Sequence, residues 1–317
     1  MLCDSRVSRW FIKIPKIFFL LYDSSTKKSK REFTEDGTCN TLSSFAQWVP
    51  WRQCMELTMD LGISGKKAIV CGSSRGLGKA CASSLARAGC KVVINGMDAT
   101  RLSETASELR SSTNSEIIEV QGDITSHDGQ SALAAACPDP DILITNAGGP
   151  PFKDFRELER DSMLTGVTWN MITPIELIQK FVDGMAERGF GRILNITSVS
   201  VNMPVSGLDL SSGARAGLTA FCAGVCRSIA GTGVTINHIQ PGFFDTDRYR
   251  AGIDALAKQL GVEHDEAHAM RINEVPAKRA GTPEEFGDAA AFLCSLQAGY
   301  ITGQSLLLDG GLYNSSF

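Results

Sequence analysis

Three glycines directly follow a short apolar run, and their spacing could hold a phosphate group. Residues 71–78 are Cys-Gly-Ser-Ser-Arg-Gly-Leu-Gly, which is the pattern G-x-x-x-G-x-G. Glycine is needed where a strand turns sharply into a helix and where backbone approaches a pyrophosphate. The free N–H groups at the start of the following helix also favour an anion. The turn predicts a dinucleotide site. The residues we assign to it are Gly72, Ser74, Arg75, Gly76, Leu77 and Gly78.

The next β-rich run ends without an acidic residue, which bears on the kind of dinucleotide. Residues 94–97 are Ile-Asn-Gly-Met, and the first carboxylate is that of Asp98. A carboxylate at the strand end would bind a ribose and repel a 2′-phosphate, whereas the guanidinium of Arg75 could pair with that phosphate. The pattern therefore favours NADP over NAD, and we add Asn95 to the cofactor site. The alternative is that Arg75 is a solvated loop residue that binds no phosphate.

The elements that must position these residues alternate regularly along the chain. Helix-length stretches such as 78–88, 100–111 and 126–137 separate short β-rich runs. These runs are 68–71, 92–95, 117–120, 142–145, 193–196, 234–237 and 305–308. Strands alternating with helices indicate βαβ units and a parallel sheet covered on both faces. We predict an α/β fold, namely a single doubly wound Rossmann-type domain with a seven-stranded parallel sheet flanked by helices.

Composition excludes several other classes of protein. The chain has 317 residues, 43% of them hydrophobic, and a formal net charge of −4. Global disorder and general binding of nucleic acid are therefore not expected. Ten cysteines without a Cys-x-x-Cys pair predict reduced thiols in an intracellular, cytoplasmic protein. His264 and His268 are four residues apart but lack a clearly placed third ligand, so we predict no metal site.

The first 58 residues differ from the rest in charge and pattern. They hold nine Lys or Arg and six Asp or Glu, a net charge of +3. The apolar segment 10–22 is interrupted by Lys13 and Lys16 and is too short to span a bilayer. We predict that residues 1–58 are a disordered leader or an over-long gene start, and that the compact domain is 59–317. An interfacial helix in the leader stays an alternative.

Further short motifs follow the glycine turn along the chain. They are Gly-Asp-Ile-Thr at 122–125, Asn-Ala-Gly-Gly at 146–149, Asn170 placed 28 residues before Ser198, Pro-Gly-Phe-Phe-Asp-Thr at 241–246, and Asp-Gly-Gly at 309–311. With these motifs, residues from about 60 to 312 resemble the short-chain dehydrogenase/reductase family, and in particular its 3-oxoacyl-(acyl carrier protein) reductases. The resemblance implies an active-site role for Asn170 and Ser198. It also implies cofactor contacts from Asp123, Ile124, Asn146, Ala147, Gly148, Pro241, Gly242 and Thr246.

The sequence departs from the family pattern at the proton donor. Family members carry Tyr-x-x-x-Lys thirteen residues after the active-site serine, where this chain has Ser211 and Arg215. The two still share one helical face, but serine is a much weaker acid than a phenol and arginine does not release its proton. A water held by Ser198, Asn170 and Ser211 could relay a proton instead, and Tyr249 is an alternative acid.

Two functions therefore remain open. The first is an NADP-dependent oxidoreductase that reduces a carbonyl, such as a 3-oxoacyl thioester, with Ser198, Asn170, Ser211 and Arg215 in a modified active site. The second is an NADP-binding pseudoenzyme that acts as a sensor or as a partner subunit. The resemblance also implies a role in fatty acid biosynthesis, a small-molecule or acyl-carrier-linked substrate, and assembly into a homodimer or homotetramer.

Overall fold

The computed structural model describes residues 32–33, 39–40, 59–150 and 152–315. The chain divides into two compact units, residues 1–57 and 58–317. In the first unit, the described strand Glu32–Phe33 pairs antiparallel with Cys39–Asn40. The predicted leader otherwise lies outside the described residues. All further description concerns the second unit.

A seven-stranded parallel sheet forms the centre of the second unit. Its strands in chain order are β1 (Lys67–Val70), β2 (Lys91–Gly96), β3 (Ile117–Gln121), β4 (Ile142–Thr145), β5 (Gly191–Ile196), β6 (Val234–Pro241) and β7 (Ser305–Leu308). In space the order is β3-β2-β1-β4-β5-β6-β7. Each predicted β-rich run is confirmed as a strand, and the predicted fold class is confirmed with it.

Helices cover both faces of this sheet. Their bounds are α1 (Gly76–Arg87), α2 (Ala99–Thr113), α3 (His127–Ala136), α4 (Arg160–Val167), α5 (Thr173–Glu187), α6 (Asp209–Ile229), α7 (Asp247–Leu260), α8 (His264–Asn273) and α9 (Pro283–Leu293). Short 3-10 turns lie at Phe155–Glu157, Val199–Val201 and Ala230–Thr232. Among the described residues, no helix is long and apolar enough to cross a lipid bilayer.

Two apolar layers hold the helices to the sheet. On one face, side chains of α1, α2 and α9, such as Leu85 and Phe286, pack with Val70 and Ile144. On the other, side chains of α3, α5 and α6 pack with the alternate strand residues, such as Ile69. Successive strand residues point to opposite faces, so strands buried on both sides must be apolar throughout. This explains why the strands appear in the sequence as short continuous apolar runs.

The parallel arrangement brings the loops that carry the motifs to one edge of the sheet. The chain leaves β1 towards α1 on one face and leaves the neighbouring strand β4 towards α5 on the other. A crevice opens outside the carboxyl ends of the strands where successive connections pass to opposite faces. The glycine turn and the Asn146 loop both border this crevice.

Candidate active site

The glycine turn between β1 and α1 has a backbone that other residues would strain. Gly72 and Gly76 have φ angles of +55° and +57°, in the left-handed region that favours glycine. A Cβ atom on Gly78 would lie 2.3 Å from the carbonyl oxygen of Gly72. The helix begins at Gly76, as predicted, and Arg75 at its N-cap makes no side-chain cap bond. Its first N–H groups are therefore left to bind an anion.

Two asparagines hold this turn in place. The Asn95 side chain accepts a hydrogen bond from the Gly72 N–H and donates to the carbonyl oxygens of Val120 and Gly122. Asn146 Nδ2 donates to the Gly72 carbonyl oxygen at 3.0 Å. Asn95 is buried, with 2% of its surface exposed. It therefore lies beneath the turn and fixes its shape, and its amide does not face the crevice.

The two charged residues beside the turn differ in how they are engaged. Arg75 is exposed and has no ion pair with any described residue. The Asp98 side chain accepts a hydrogen bond from the Arg101 N–H at 3.1 Å and caps α2. The one carboxylate near the end of β2 is thus engaged with backbone, while a guanidinium remains free in the turn. This arrangement suits an adenosine ribose that carries a 2′-phosphate better than one with a free 2′-hydroxyl.

The opposite wall of the crevice is the segment that follows β6. Gly242 packs against Asp309, and a Cβ there would lie 2.8 Å from the Asp309 Cα. Thr246 caps α7, and its methyl group lies 3.9 Å from the Cβ position of Gly76. Pro241 and Thr246 are half-buried. The segment therefore reaches across to the glycine turn.

The remaining predicted cofactor residues flank the crevice with different degrees of exposure. Asp123 is exposed, and its Oδ1 accepts bonds from the Thr125 N–H and hydroxyl at 2.9 and 2.8 Å. Ile124 is buried in the core beneath. Gly148 is exposed, and the nearest atom to its Cβ position is 4.0 Å away. Ser74, Leu77 and Ala147 are half-buried.

Asn170 lies in an irregular turn that connects α4 to α5. Residues Thr168–Ile172 form one π-helical turn, a feature often found at functional sites. The Asn170 Nδ2 donates to the carbonyl oxygens of Gly148 and Gly166, while its buried Oδ1 has no partner among the described residues. An unpaired buried acceptor is costly, so it is available to a bound water or ligand.

Ser198 lies two residues after β5, the strand that pairs with β4. Its Oγ accepts a hydrogen bond from the Ser200 N–H at 3.1 Å, and the side chain is half-buried. The hydroxyl proton remains available to a second partner, since this bond uses only an oxygen lone pair.

Ser211 and Arg215 are joined directly within α6. Arg215 Nε donates to Ser211 Oγ at 3.2 Å, and its Nη1 donates to the Ile196 carbonyl oxygen at 2.7 Å. The second bond connects α6 to the end of β5, two residues before Ser198. Burial, aided by the positive charge of Arg248, lowers the pKa of the Arg215 guanidinium to about 10. Arg215 therefore remains a cation at neutral pH.

Arg248 is a further charged side chain that lies beside the crevice. It extends from α7 to the loop after β4, where a Cβ on Gly149 would lie 2.8 Å from its Nη2. Tyr249, the alternative acid, instead packs its ring against Phe243 and His268. Its buried hydroxyl has no partner among the described residues, and burial raises its pKa. A raised pKa makes it a weaker proton donor.

These features define a class of protein before any comparison is made. The fold is doubly wound, and a glycine turn with two positive φ angles lies at its switch point, with free helix N–H groups and a free guanidinium. At Gly76 and Gly148 the nearest atoms to a Cβ position are 3.9 and 4.0 Å away, which is ordinary van der Waals contact without crowding. The residues present therefore fit the phosphates and ribose of a dinucleotide. The chain is an α/β protein of the dinucleotide-binding type.

Comparison with known proteins identifies the family. A family model described as enoyl-(acyl carrier protein) reductase matches residues 72–313. A 3-oxoacyl-[acyl-carrier-protein] reductase of Vibrio cholerae is 32% identical over 265 residues, covering 80% of this chain and 99% of the relative. An acetoacetyl-CoA reductase of Allochromatium vinosum is 30% identical over 251 residues, covering 78% of this chain and 98% of the relative. The chain belongs to the short-chain dehydrogenase/reductase family.

Solved structures agree with this assignment. The L-sorbose reductase of Gluconobacter frateurii, complexed with NADPH and L-sorbose, has a TM-score of 0.77 at 28% identity. The alignment covers 81% of this chain and all of that structure. A 3-oxoacyl (acyl-carrier-protein) reductase of Agrobacterium tumefaciens with NADP bound has a TM-score of 0.72 at 28% identity, covering 82% and 99% of the two chains.

Proposed function

We propose that this protein is an NADP-dependent carbonyl reductase with a modified proton-donor site. The observation that carries this proposal is the glycine turn with Arg75 unpaired beside it and Asp98 engaged as a helix cap. The NADPH- and NADP-bound structures of similar proteins support the same cofactor. Bound NADPH would supply the hydride, and Gly72, Arg75, Gly76, Gly148 and Thr246 would hold it.

The substrate carbonyl would lie between Ser198 and the start of α6. Ser198 Oγ can donate to the carbonyl oxygen, and the positive charge of Arg215 stabilises an oxyanion that develops there. The unpaired Asn170 Oδ1 could accept a hydrogen bond from a water, and that water would deliver the proton that a tyrosine would supply. A positioned general acid is worth about 10²–10⁴ in rate, so slow turnover is expected if the water is a poor substitute.

A second candidate function is NADP binding without turnover, as a sensor or partner subunit. The observation in its favour is that Ser211 Oγ is engaged by Arg215 Nε inside the buried start of α6. A hydroxyl in that position has neither the acidity nor the reach of a phenol. Catalysis would then be lost while the nucleotide site is kept.

The test uses the full-length protein. NADPH and NADH are titrated by fluorescence, and NADPH consumption is then followed with an acetoacetyl thioester at high enzyme concentration. Tighter binding of NADPH than NADH, with slow turnover, supports the reductase. Binding without turnover on a panel of carbonyl compounds supports the second function. Failure to bind either nucleotide contradicts both.

A further inference from the structure

The segment that begins with Ser198 is tied to the end of β6 on both sides. We call residues 198–203 the serine turn. Just before it, the Thr197 N–H donates to the carbonyl oxygen of Ile239 at 2.9 Å. Near its end, Asn202 Nδ2 donates to Oε1 of Gln240 at 2.7 Å. The serine turn is therefore anchored by two hydrogen bonds to consecutive residues of one strand.

Hydrogen bonds within the serine turn connect its far anchor to the Ser198 side chain. The Asn202 N–H donates to the Val199 carbonyl oxygen at 3.0 Å. The Val201 N–H donates to the Ser198 carbonyl oxygen at 3.1 Å. The Ser200 N–H donates to Ser198 Oγ at 3.1 Å. Because these bonds form one compact 3-10 turn, a displacement of Asn202 would also displace the Ser198 hydroxyl.

Gln240 lies where the serine turn and the cofactor segment meet. It directly precedes Pro241 and Gly242, which begin the segment on the opposite wall of the crevice. Hydrogen bonds to both neighbouring strands fix the backbone of β6, whereas Asn202 is exposed. The bond between Asn202 and Gln240 therefore fixes the position of Ser198 relative to that wall.

The burial of Gln240 is not explained by stability. Its exposed fraction is 0%, and its Nε2 has no hydrogen-bond partner among the described residues. A buried amide with an unpaired donor costs stability, and an apolar side chain of similar size would avoid that cost. The hydrogen bond to Asn202 gives the residue a positioning role that such an apolar side chain would lack.

We propose that Gln240 is a positioning residue for carbonyl reduction, which acts through Asn202 to hold the Ser198 hydroxyl at the substrate carbonyl. This inference rests on the proposed carbonyl reductase, in which Ser198 Oγ donates to that carbonyl oxygen. Gln240 itself bonds to Asn202 and not to a reacting group. Displacement of a reacting group by about 1 Å can cost on the order of 10² in rate, so the loss of one anchor should be visible in kcat.

The kinetic test uses Gln240→Met in the full-length protein, because methionine is also long and unbranched but has no amide. With saturating NADPH and an acetoacetyl thioester, we expect kcat to fall about 10- to 100-fold. The affinity for NADPH should stay unchanged, since the glycine turn is untouched. The unfolding temperature should not fall, because an unpaired buried donor is removed. Gln179→Met removes an amide from the exposed face of α5 and should leave kcat unchanged.

Two further variants test whether Gln240 acts through Asn202. Gln240→Glu keeps an oxygen that accepts from Asn202 Nδ2, so it should recover most of the kcat that is lost in Gln240→Met. Asn202→Ala should lower kcat as much as Gln240→Met does, and the double variant should lower it no further, since each change removes the same bond. Additive losses in the double variant would overturn the proposed coupling.

A second measurement needs no turnover. Amide hydrogen exchange in residues 200–203 should be about 10-fold faster in Gln240→Met and Asn202→Ala than in the wild type, because one hydrogen bond no longer holds the serine turn closed. Exchange in these residues should be unchanged in Gln179→Met.

The outcomes separate this inference from the proposed function. No turnover by the wild type on any carbonyl compound contradicts the proposed function, and the exchange rates alone then decide whether Gln240 holds the serine turn. Turnover by the wild type with an unchanged kcat in Gln240→Met overturns the positioning role alone. Weaker NADPH binding in Gln240→Met, with an unchanged kcat at saturating NADPH, also overturns it, since Gln240 would then shape the cofactor segment at Pro241.

Discussion

The turn after β1 and the start of α6 lie at the same edge of one sheet, yet they keep the family pattern to different degrees. The turn retains glycines at 72, 76 and 78, two of them with positive φ. At the start of α6, Ser211 and Arg215 replace the tyrosine and lysine that the resemblance implies. Phosphate binding relies on backbone geometry that only glycine provides. Proton donation relies on side chains, and these can change while the helix stays intact.

The largest expected effect comes from making the α6 region resemble the family. Ser211→Tyr together with Arg215→Lys should raise kcat for an acetoacetyl thioester by about 10²–10⁴, the contribution of a positioned general acid. The measurement is NADPH oxidation, with NADPH affinity as the control, since the turn is untouched. Unchanged kcat with intact NADPH binding would mean that the rest of the site is not competent.

The converse change breaks the glycine turn, the region that keeps the family pattern. In Gly78→Ala the new Cβ would lie 2.3 Å from the Gly72 carbonyl oxygen, so the turn must move. We expect NADPH affinity to fall about 5- to 150-fold, from an overpacking cost of about 1–3 kcal/mol. Gly213→Ala in α6 is the control, because no atom lies within 4 Å of its Cβ position. Equal NADPH affinity in Gly78→Ala and the wild type would show that the turn does not hold the phosphates.

A third change tests the choice of cofactor. Arg75→Gln should weaken NADPH binding about tenfold and leave NADH binding unchanged, because only the 2′-phosphate would lose a charged partner. Fluorescence titration of both nucleotides measures the effect. The control is Arg227→Gln, which removes the same charge from the exposed far end of α6. An equal loss for NADPH and NADH would instead place Arg75 at the pyrophosphate.

The fold was predictable from sequence because its signals are local. The apolar runs of the buried strands and the glycines that end β1 depend on neighbours in the chain, and all seven strands were found within a few residues of their bounds. The start of α1 at Gly76 followed from the same local rules.

Parts of the candidate site depend on contacts between distant segments and could not be predicted. The sequence assigns Asn95 to the cofactor site, but its hydrogen bonds to Gly72, Val120 and Gly122 join segments far apart in the chain and have no local signal. The π-helical turn at Asn170 has no periodic signal that separates it from an ordinary helix. Arg248 reaches Gly149 only because the segment after β6 crosses the crevice. Asp98 did carry a local signal, since aspartate before a helix is a preferred N-cap.

Asp98 offers the smallest effect and the finest test of the phosphate-binding region. Its side chain caps α2 through the Arg101 N–H, so Asp98→Ala should lower the free energy of unfolding by about 1 kcal/mol. Asp98→Asn keeps a capping oxygen and should restore most of that stability. Denaturant unfolding measures both variants. Because the carboxylate caps the helix, the ratio of NADPH to NADH affinity should be the same in both variants as in the wild type. A rise in NADPH affinity in each variant would show that the carboxylate repels the 2′-phosphate, and that capping is not its only role.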